Sequence, residues 1–184
     1  IYTFCISLIV NPVFSLSFNP EGGPQADDSL NLIHSVVLIG NGGKIYRNED
    51  VHALLKYHCK NLQSESTVIF LGDNADPSGL PDDSEASRKV AEESLDAQLG
   101  LLKKYKGKAI FIPGNFDWNR GNRGGLDYVK EERKYIEKKL DQEDIFLPKK
   151  GRPGPVELDL TRDIVLILID SQWWLHDFEK SYDD

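Results

Sequence analysis

The sequence predicts an α/β fold in which parallel strands alternate with helices. Three short runs of β-branched and apolar residues, at 35–39, 67–71 and 109–113, have the composition of strands buried on both faces of a mostly parallel sheet. The segments between them have room for one helix each. This alternation is typical of a layered α/β fold with right-handed crossovers.

The first two helices have recognisable starts and ends. Asn48 is the predicted N-cap of the first helix, and the acidic residues after it favour the positive end of a helix. This helix is expected to end near Gln63. The second helix is expected to begin near Ser84 and to end at Gly107. Its apolar positions repeat at helical spacing and form one stripe that packs on the sheet: Ala91, Leu95, Leu99 and Leu102.

A third helix is expected after a loop over residues 115–125, because apolar positions again recur at helical spacing. Two further strands, at 156–160 and 164–169, surround a turn at 161–163 and predict a hairpin. The predicted order is therefore β-α-β-α-β-α-β-β.

Length and composition favour one folded domain. A chain of 184 residues buries about 70% of the surface of its unfolded form, which suffices for a single core. Its hydrophobic share of 40% is that of a globular protein. The formal net charge of −8 argues against nucleic acid as a partner, because phosphate backbones require a basic face.

The N-terminal region divides into two segments before the domain at 33–184. Residues 1–18 are mostly apolar and too short and broken to span a bilayer. We interpret them as a partial secretory signal, with the small-x-small pattern Ser15-Leu16-Ser17 as its cleavage site. The alternative is an ordinary apolar N-terminal segment. Residues 19–32 form a polar linker. Export to the periplasm, the medium or the cell envelope is predicted, and the N-terminal segment is a candidate membrane tether.

Polar residues follow each of the three predicted parallel strands. The motifs are Gly40-Asn41-Gly42-Gly43, Gly72-Asp73-Asn74 and Gly114-Asn115-Phe116-Asp117-Trp118. Open α/β sheets bind ligands at the carboxyl ends of their strands, so we expect these motifs to meet at one edge. One such turn is unremarkable, because Asp, Asn and Gly dominate turns. Three of them, 32 and then 42 residues apart, indicate a site.

These motifs resemble those of the calcineurin-like metallophosphoesterase superfamily, where strand-GD-x-G, strand-GDN and strand-GNHDW occur in this order. The resemblance is to its purple-acid-phosphatase-like and bacterial exported branches. It runs from about Ser35 to the C-terminus and includes Gly79-Leu80-Pro81 and the segment from Asp170 to Trp174. It implies a layered α/β/β/α sandwich, of which this chain is the N-terminal part. Family members carry two further histidine-bearing loops after this point, so the domain is expected to be incomplete at its C-terminus.

The resemblance implies a phosphoester hydrolase with two metal ions, drawn from Fe, Mn and Zn. Such ions activate a bound water and neutralise the phosphoryl oxygens of a phosphorylated small molecule or protein. Asp73 matches the carboxylate that bridges both ions, and Asn115 matches a ligand of the second ion. In the family, a histidine follows that asparagine and protonates the leaving group. The next aspartate, here Asp117, orients the imidazole.

Three positions depart from this pattern. Phe116 stands in place of the histidine, and a phenyl ring can neither donate a proton nor bind a metal. Asn41 stands in place of an aspartate ligand, and Asp76 in place of a tyrosine of the purple-acid-phosphatase-like branch. Even loss of an outer-shell partner costs about 10–100-fold in metal affinity or activity. We therefore predict weak or single metal occupancy, with Asp76 acting through a bridging water.

The sequence thus predicts a metal-dependent phosphoester hydrolase domain that is impaired or inactive. The alternative is a noncatalytic binding or interaction domain with the same fold. A glycine-rich phosphate loop at residues 40–44 is disfavoured, because Leu38 and Ile45 occupy positions that require glycine and Ser or Thr. No histidine is placed to restore the site. His52 and His58 are expected at the surface or core edge of the first helix, His176 does not match the missing histidine loops, and a structural role is expected for all four.

Overall fold

The computed structural model describes residues 34–181, and the described chain is a mixed α/β fold. The predicted order of strands and helices is confirmed, with one short helix added at the end. The strands are β1 (Ser35–Ile39), β2 (Ser66–Phe70), β3 (Lys108–Phe111), β4 (Val156–Thr161) and β5 (Ile164–Leu168). The helices are α1 (Glu49–Asn61), α2 (Arg88–Leu102), α3 (Gly125–Leu140) and α4 (Ser171–Leu175). The predicted signal segment at 1–18 and linker at 19–32 lie outside the described residues.

Three strands form one parallel sheet in the order β1-β2-β3. Val37 of β1 pairs with Val68 of β2, and Ile69 pairs with Ile110 of β3. A separate antiparallel pair is formed by β4 and β5. Since the three parallel strands run in register, their carboxyl ends lie side by side, and the loops that follow them emerge at one edge.

The two faces of the parallel sheet pack against different partners. Val68, Phe70 and Phe111 belong to the apolar cluster that includes the helices, and the Phe70 and Phe111 rings stack with centroids 4.2 Å apart. Ile69 and Ile110 point to the opposite face, as the two-residue period of a strand requires. They form a second cluster with side chains of the hairpin, including Leu166 and Leu168. Buried apolar area on both faces supplies the main stabilising term.

The prediction that all three strands are buried on both faces is wrong for β1. Val36 and Leu38 are 38% and 50% exposed. The hairpin cluster is built on β2 and β3 and includes neither residue. β1 is at the edge of the parallel sheet, and the hairpin does not cover the face of β1 that carries Val36 and Leu38. β2, in the centre, is buried along its whole length, as predicted.

Helix α2 begins at Arg88, four residues later than expected. The Asp82 side chain accepts a hydrogen bond from the Ser84 backbone N–H at 3.0 Å. This local turn competes with a helical start, because Asp readily bonds the backbone two residues on. Helix α1 ends at Asn61 and buries Cys59 in the helix-side cluster, since free cysteine behaves as a small apolar residue. No helix within residues 34–181 is long and apolar enough to cross a membrane.

The predicted N-cap of α1 gives a direct test of local stability. The Asn48 side chain accepts a hydrogen bond from the Val51 N–H at 3.1 Å, while Asn48 itself is extended. We expect Asn48→Ala to lower the free energy of unfolding by about 1 kcal/mol in urea denaturation, since one helix donor loses its acceptor. Asn48→Ser, which restores an acceptor, should be nearly neutral. Equal stability of the Ala and Ser variants would contradict this role.

Candidate functional site at the strand tips

The loops after the three parallel strands lie against one another. The Gly43 N–H donates to the Asp73 carbonyl at 2.7 Å, and the Phe116 N–H donates to Asp73 Oδ1 at 2.9 Å. Asp73 therefore connects the loop after β1 to the loop after β3. We call residues 41–47, 73–77 and 114–120 the rim. All the predicted catalytic and metal-binding residues fall within it: Asn41, Asp73, Asp76, Asn115, Phe116 and Asp117.

Two glycines allow the loops after β2 and β3 to approach so closely. A Cβ on Gly72 would lie 2.6 Å from Gly114 Cα, and a Cβ on Gly114 would lie 2.6 Å from Asp73 Oδ1. Both distances are below van der Waals contact. Gly72 also has a φ of 99°, which L side chains rarely adopt. Packing therefore requires glycine directly before Asp73 and directly before Asn115.

Asp117 is completely buried beneath the rim. Its carboxylate accepts hydrogen bonds from the backbone N–H groups of Asn74 at 2.9 Å, Ala75 at 3.0 Å and Gly114 at 2.7 Å. These bonds hold the end of β2 to the end of β3. The resemblance implies an aspartate that orients an imidazole, and with Phe116 in that place Asp117 has no imidazole to orient. Its carboxylate lies among backbone amides, where it braces the two loops.

A second buried carboxyl, Glu132 of α3, contacts Asp117 and was not singled out from the sequence. The Asn74 side-chain amide donates to Glu132 Oε1 at 3.2 Å and to Asp117 Oδ2 at 3.3 Å. Burial, followed by the charge of Asp117, raises the pKa of Glu132 well above its ordinary value. Burial likewise raises the pKa of Asp117 to about 6. Both raised pKa values favour the protonated form, and two carboxylates side by side in a buried position disfavour ionisation of both.

The signal for Glu132 was present but ambiguous. Val129, Glu132 and Ile136 share the inward face of α3 and all three are buried. A single Glu at helical spacing between apolar residues is compatible with either an exposed or a buried position. Only its contact with Asn74 and Asp117 shows that the polar site extends into the helix layer.

Asp76 is buried, 2% exposed, and its carboxylate forms a salt bridge with Arg47. Its backbone N–H donates to Ser94 Oγ of α2 at 3.1 Å. Arg47 comes from the short 3-10 helix Gly42–Arg47 that follows β1. The charge that Asp76 contributes to the rim is therefore compensated by a guanidinium.

Phe116 is half-buried at the rim and two cations lie on its ring. The Arg120 guanidinium carbon is 4.3 Å from the ring centroid, and Lys44 Nζ is 5.5 Å from it. Arg120 Nε also donates to the Pro77 carbonyl at 2.9 Å. Cations at these distances are attracted to the negative face of an aromatic ring. The Phe116 ring thus anchors positive charge at the rim.

The donors at the rim do not fit a centre with two metal ions. Asp76 is paired with Arg47, while Asn41 and Asn115 are neutral. Asp73 is the one predicted ligand that brings uncompensated negative charge. Within residues 34–181, no three His, Cys, Asp or Glu side chains converge as a metal would need. Two hard or borderline cations require several anionic or imidazole ligands, which this arrangement does not supply.

The segment after β5 forms a buried polar group behind the rim. Asp170 accepts a hydrogen bond from Trp118 Nε1 at 2.8 Å and caps α4 through the Trp173 N–H at 3.1 Å. Burial raises the pKa of Asp170 to about 7. His176, for which a structural role is expected, is fully buried with its ring 4.8 Å from that of Trp118. Burial lowers the pKa of His176 and favours the neutral ring.

The described chain thus defines a mixed α/β domain with a polar rim at the carboxyl ends of a three-stranded parallel sheet. Comparison with protein-family models, with curated proteins and with solved structures gives no match to this chain.

Proposed function

We propose that this chain has a metallophosphoesterase-like fold and binds phosphoesters, which it hydrolyses poorly or not at all. The observation that carries the proposal is the position of Asp73 between the loops after β1 and β3, beside Phe116. The motif order and the placement of all three motifs at one edge of a parallel sheet support the phosphoesterase ancestry. Phosphorylated small molecules or proteins are the proposed ligands, in an exported protein.

The architecture supports the finer proposal of an α/β/β/α sandwich. Helices cover one face of the parallel sheet, and the hairpin of β4 and β5 covers β2 and β3 on the other face. The uncovered side chains Val36 and Leu38 lie on the hairpin side of β1. A fuller second sheet would cover them, as the layered sandwich requires.

The rim chemistry supports the loss of hydrolysis. A general acid is needed next to the leaving group, and Phe116 cannot supply a proton. Asp117, which would orient the acid, has its carboxylate engaged by three backbone amides. Arg47 holds Asp76 in a salt bridge, so a bridging water on Asp76 would have to compete with a guanidinium.

Turnover of phosphomonoesters and phosphodiesters tests this proposal. We expect the full chain to show little hydrolysis with Mn, Zn or Fe. Combining Asn41→Asp with Phe116→His should raise metal-dependent turnover by at least about 10-fold, because a ligand charge and the imidazole return together. The control is Asn41→Asp with Phe116→Leu, which lacks the imidazole and should gain less. Robust metal-dependent turnover by the natural chain would refute the impairment.

A second candidate is a noncatalytic binding or interaction domain that retains only the fold. The cations placed over Phe116 and beside Asp76 favour it, because they replace the functions of catalytic groups with fixed positive charge. Elemental analysis of metal content, combined with partner binding measured with and without metal, separates the candidates. At most one ion per chain, together with partner binding that metal does not change, is the result expected for the noncatalytic domain.

A further inference from the structure

We infer that Lys44 and Arg120 form a metal-independent binding site for a phosphoryl dianion beside Phe116. This inference rests on the proposed function, which makes the rim a phosphoester site. It specifies how the ligand would be held: by two side-chain cations of this chain rather than by metal ions. Free phosphate and a phosphomonoester share the chemistry that this site would recognise.

The two cations come from separate loops and converge on one ring. Lys44 lies in the short 3-10 helix after β1, and Arg120 lies in the loop after β3. Both contact Phe116, with distances to its centroid of 5.5 Å and 4.3 Å. A guanidinium offers a planar fork of donors that matches phosphate oxygens, and an ammonium adds a compact charge.

The Arg120 side chain is held in place from two sides. Its Nε donates to the Pro77 carbonyl while its guanidinium lies over Phe116. The backbone there is unusual: Asn119 and Arg120 have φ values of 51° and 54°, and Gly121 follows at 76°. Left-handed conformations at consecutive non-glycine residues are costly and persist where the surroundings impose them. Here they set Arg120 over the ring, which reduces the entropy that binding must remove.

The charge at the rim differs from that of the whole chain. The chain has a net charge of −8, whereas the rim holds three cations, Lys44, Arg47 and Arg120. Its carboxyls are Asp73, Asp76 and the fully buried Asp117. Arg47 compensates Asp76, so that this carboxylate repels an incoming anion less. Asp73 remains as a negative charge near Phe116. It would oppose direct anion binding, whereas in a metal-mediated site it would be essential.

Asp73→Asn therefore gives opposite results in the two kinds of site. The change removes the charge but leaves an Oδ1 that can accept from the Phe116 N–H, and Asn tolerates the left-handed φ of 53° found there. In a site of side-chain cations, phosphate binding should tighten several-fold. In a site that depends on a bridging metal, binding should be lost.

The experiment is calorimetric titration of inorganic phosphate into the full chain in the presence of EDTA. We expect saturable binding that weakens as salt rises. Lys44→Gln combined with Arg120→Gln should weaken binding by at least about 10-fold. The control Lys130→Gln removes an exposed cation of α3 and should change nothing. Thermal melts monitored by circular dichroism establish that each variant is folded. A second titration with phenyl phosphate compares an ester with the free anion.

Three results would overturn the inference. In the first, neither ligand binds saturably in EDTA. In the second, the folded Lys44→Gln and Arg120→Gln double variant binds as well as the natural chain. In the third, Asp73→Asn abolishes binding. Failure of the proposed function is seen separately, as rapid metal-dependent turnover. Phosphate binding in EDTA together with rapid turnover would support the cation site and refute the proposal that hydrolysis is impaired. Slow turnover without phosphate binding would refute the cation site and support impaired hydrolysis.

Discussion

Replacing Asp117 with alanine should lower the free energy of unfolding by about 3–5 kcal/mol, the largest effect that we expect of any single change at the rim. Three backbone N–H groups, those of Asn74, Ala75 and Gly114, would lose their acceptor in a region without solvent access. Each buried donor left unpaired costs about 1–3 kcal/mol, less what relaxation recovers. Urea denaturation followed by circular dichroism measures the loss.

Two further variants make the result specific. Asp117→Asn keeps the shape and the acceptor for two backbone amides, but places an NH₂ group against the Gly114 N–H and the Asn74 side-chain amide. It should therefore lie between the natural chain and the alanine variant. Asp163→Ala, at an exposed turn between β4 and β5, should change stability by less than about 0.5 kcal/mol. An alanine variant at Asp117 as stable as the natural chain would show that the amides find other acceptors and that Asp117 is not a brace.

The buried pair of Glu132 and Asp117 should make stability fall as pH rises. Burial raises the pKa of Asp117 from 3.8 to about 6 and that of Glu132 well above its ordinary value. The folded chain then binds more protons than the unfolded chain above about pH 4. Their stabilising contribution is complete below the unfolded pKa values and is lost as pH rises through the folded ones. For Asp117 alone the loss is on the order of 3 kcal/mol.

Glu132→Gln isolates this contribution. Glutamine has the same shape, can donate to Asp117 and accept from the Asn74 amide, and does not ionise. We expect the variant to match the natural chain near pH 5 and to be more stable than it at high pH. Subtracting the two stability–pH profiles removes the contributions of all other titrating groups. One of these is His176, whose lowered pKa reduces stability as pH falls.

Glu131→Gln is the matched control for the pH experiment. Glu131 is the neighbour of Glu132 on α3, is partly exposed and pairs with Arg88. Its profile should remain parallel to that of the natural chain, because an exposed pair contributes little. Parallel profiles for Glu132→Gln and the natural chain would mean that Glu132 is charged in the fold.

The sequence predicted the secondary structure well where one local signal dominated. The run of β-branched residues in β2 has no competing interpretation, and the Asn48 side chain caps α1 through a neighbour three residues away. The start of α2 was misplaced, because the Asp82 turn competes locally with the helix. The exposure of β1 could not be read from its composition. An edge strand and a central strand can have the same apolar residues, and only sheet order distinguishes them.

For the candidate site, too, the local features were predicted and the long-range contacts were not. Motif spacing predicted that Asn41, Asp73 and Asn115 follow parallel strands, and the loops that carry them lie together at one edge of the sheet. The partners of these loops were not predicted. Arg47 and Arg120 reach the 76–77 segment from 29 and 43 residues away. Arginine side chains in polar loops leave no periodic pattern in the sequence. Their partners therefore depend on which distant segments the fold brings close.

The sequence by itself determined the alternation of strands and helices and the chemistry available at three strand ends. Both follow from interactions within a few residues: side-chain period, capping and the conformational freedom of glycine. The tertiary structure alone decided what that chemistry faces. It buried Glu132 against Asp117, paired Asp76 with Arg47 and placed Lys44 and Arg120 over Phe116. Burial and charge pairing arise between residues distant in the chain, and they set protonation and electrostatics at the rim.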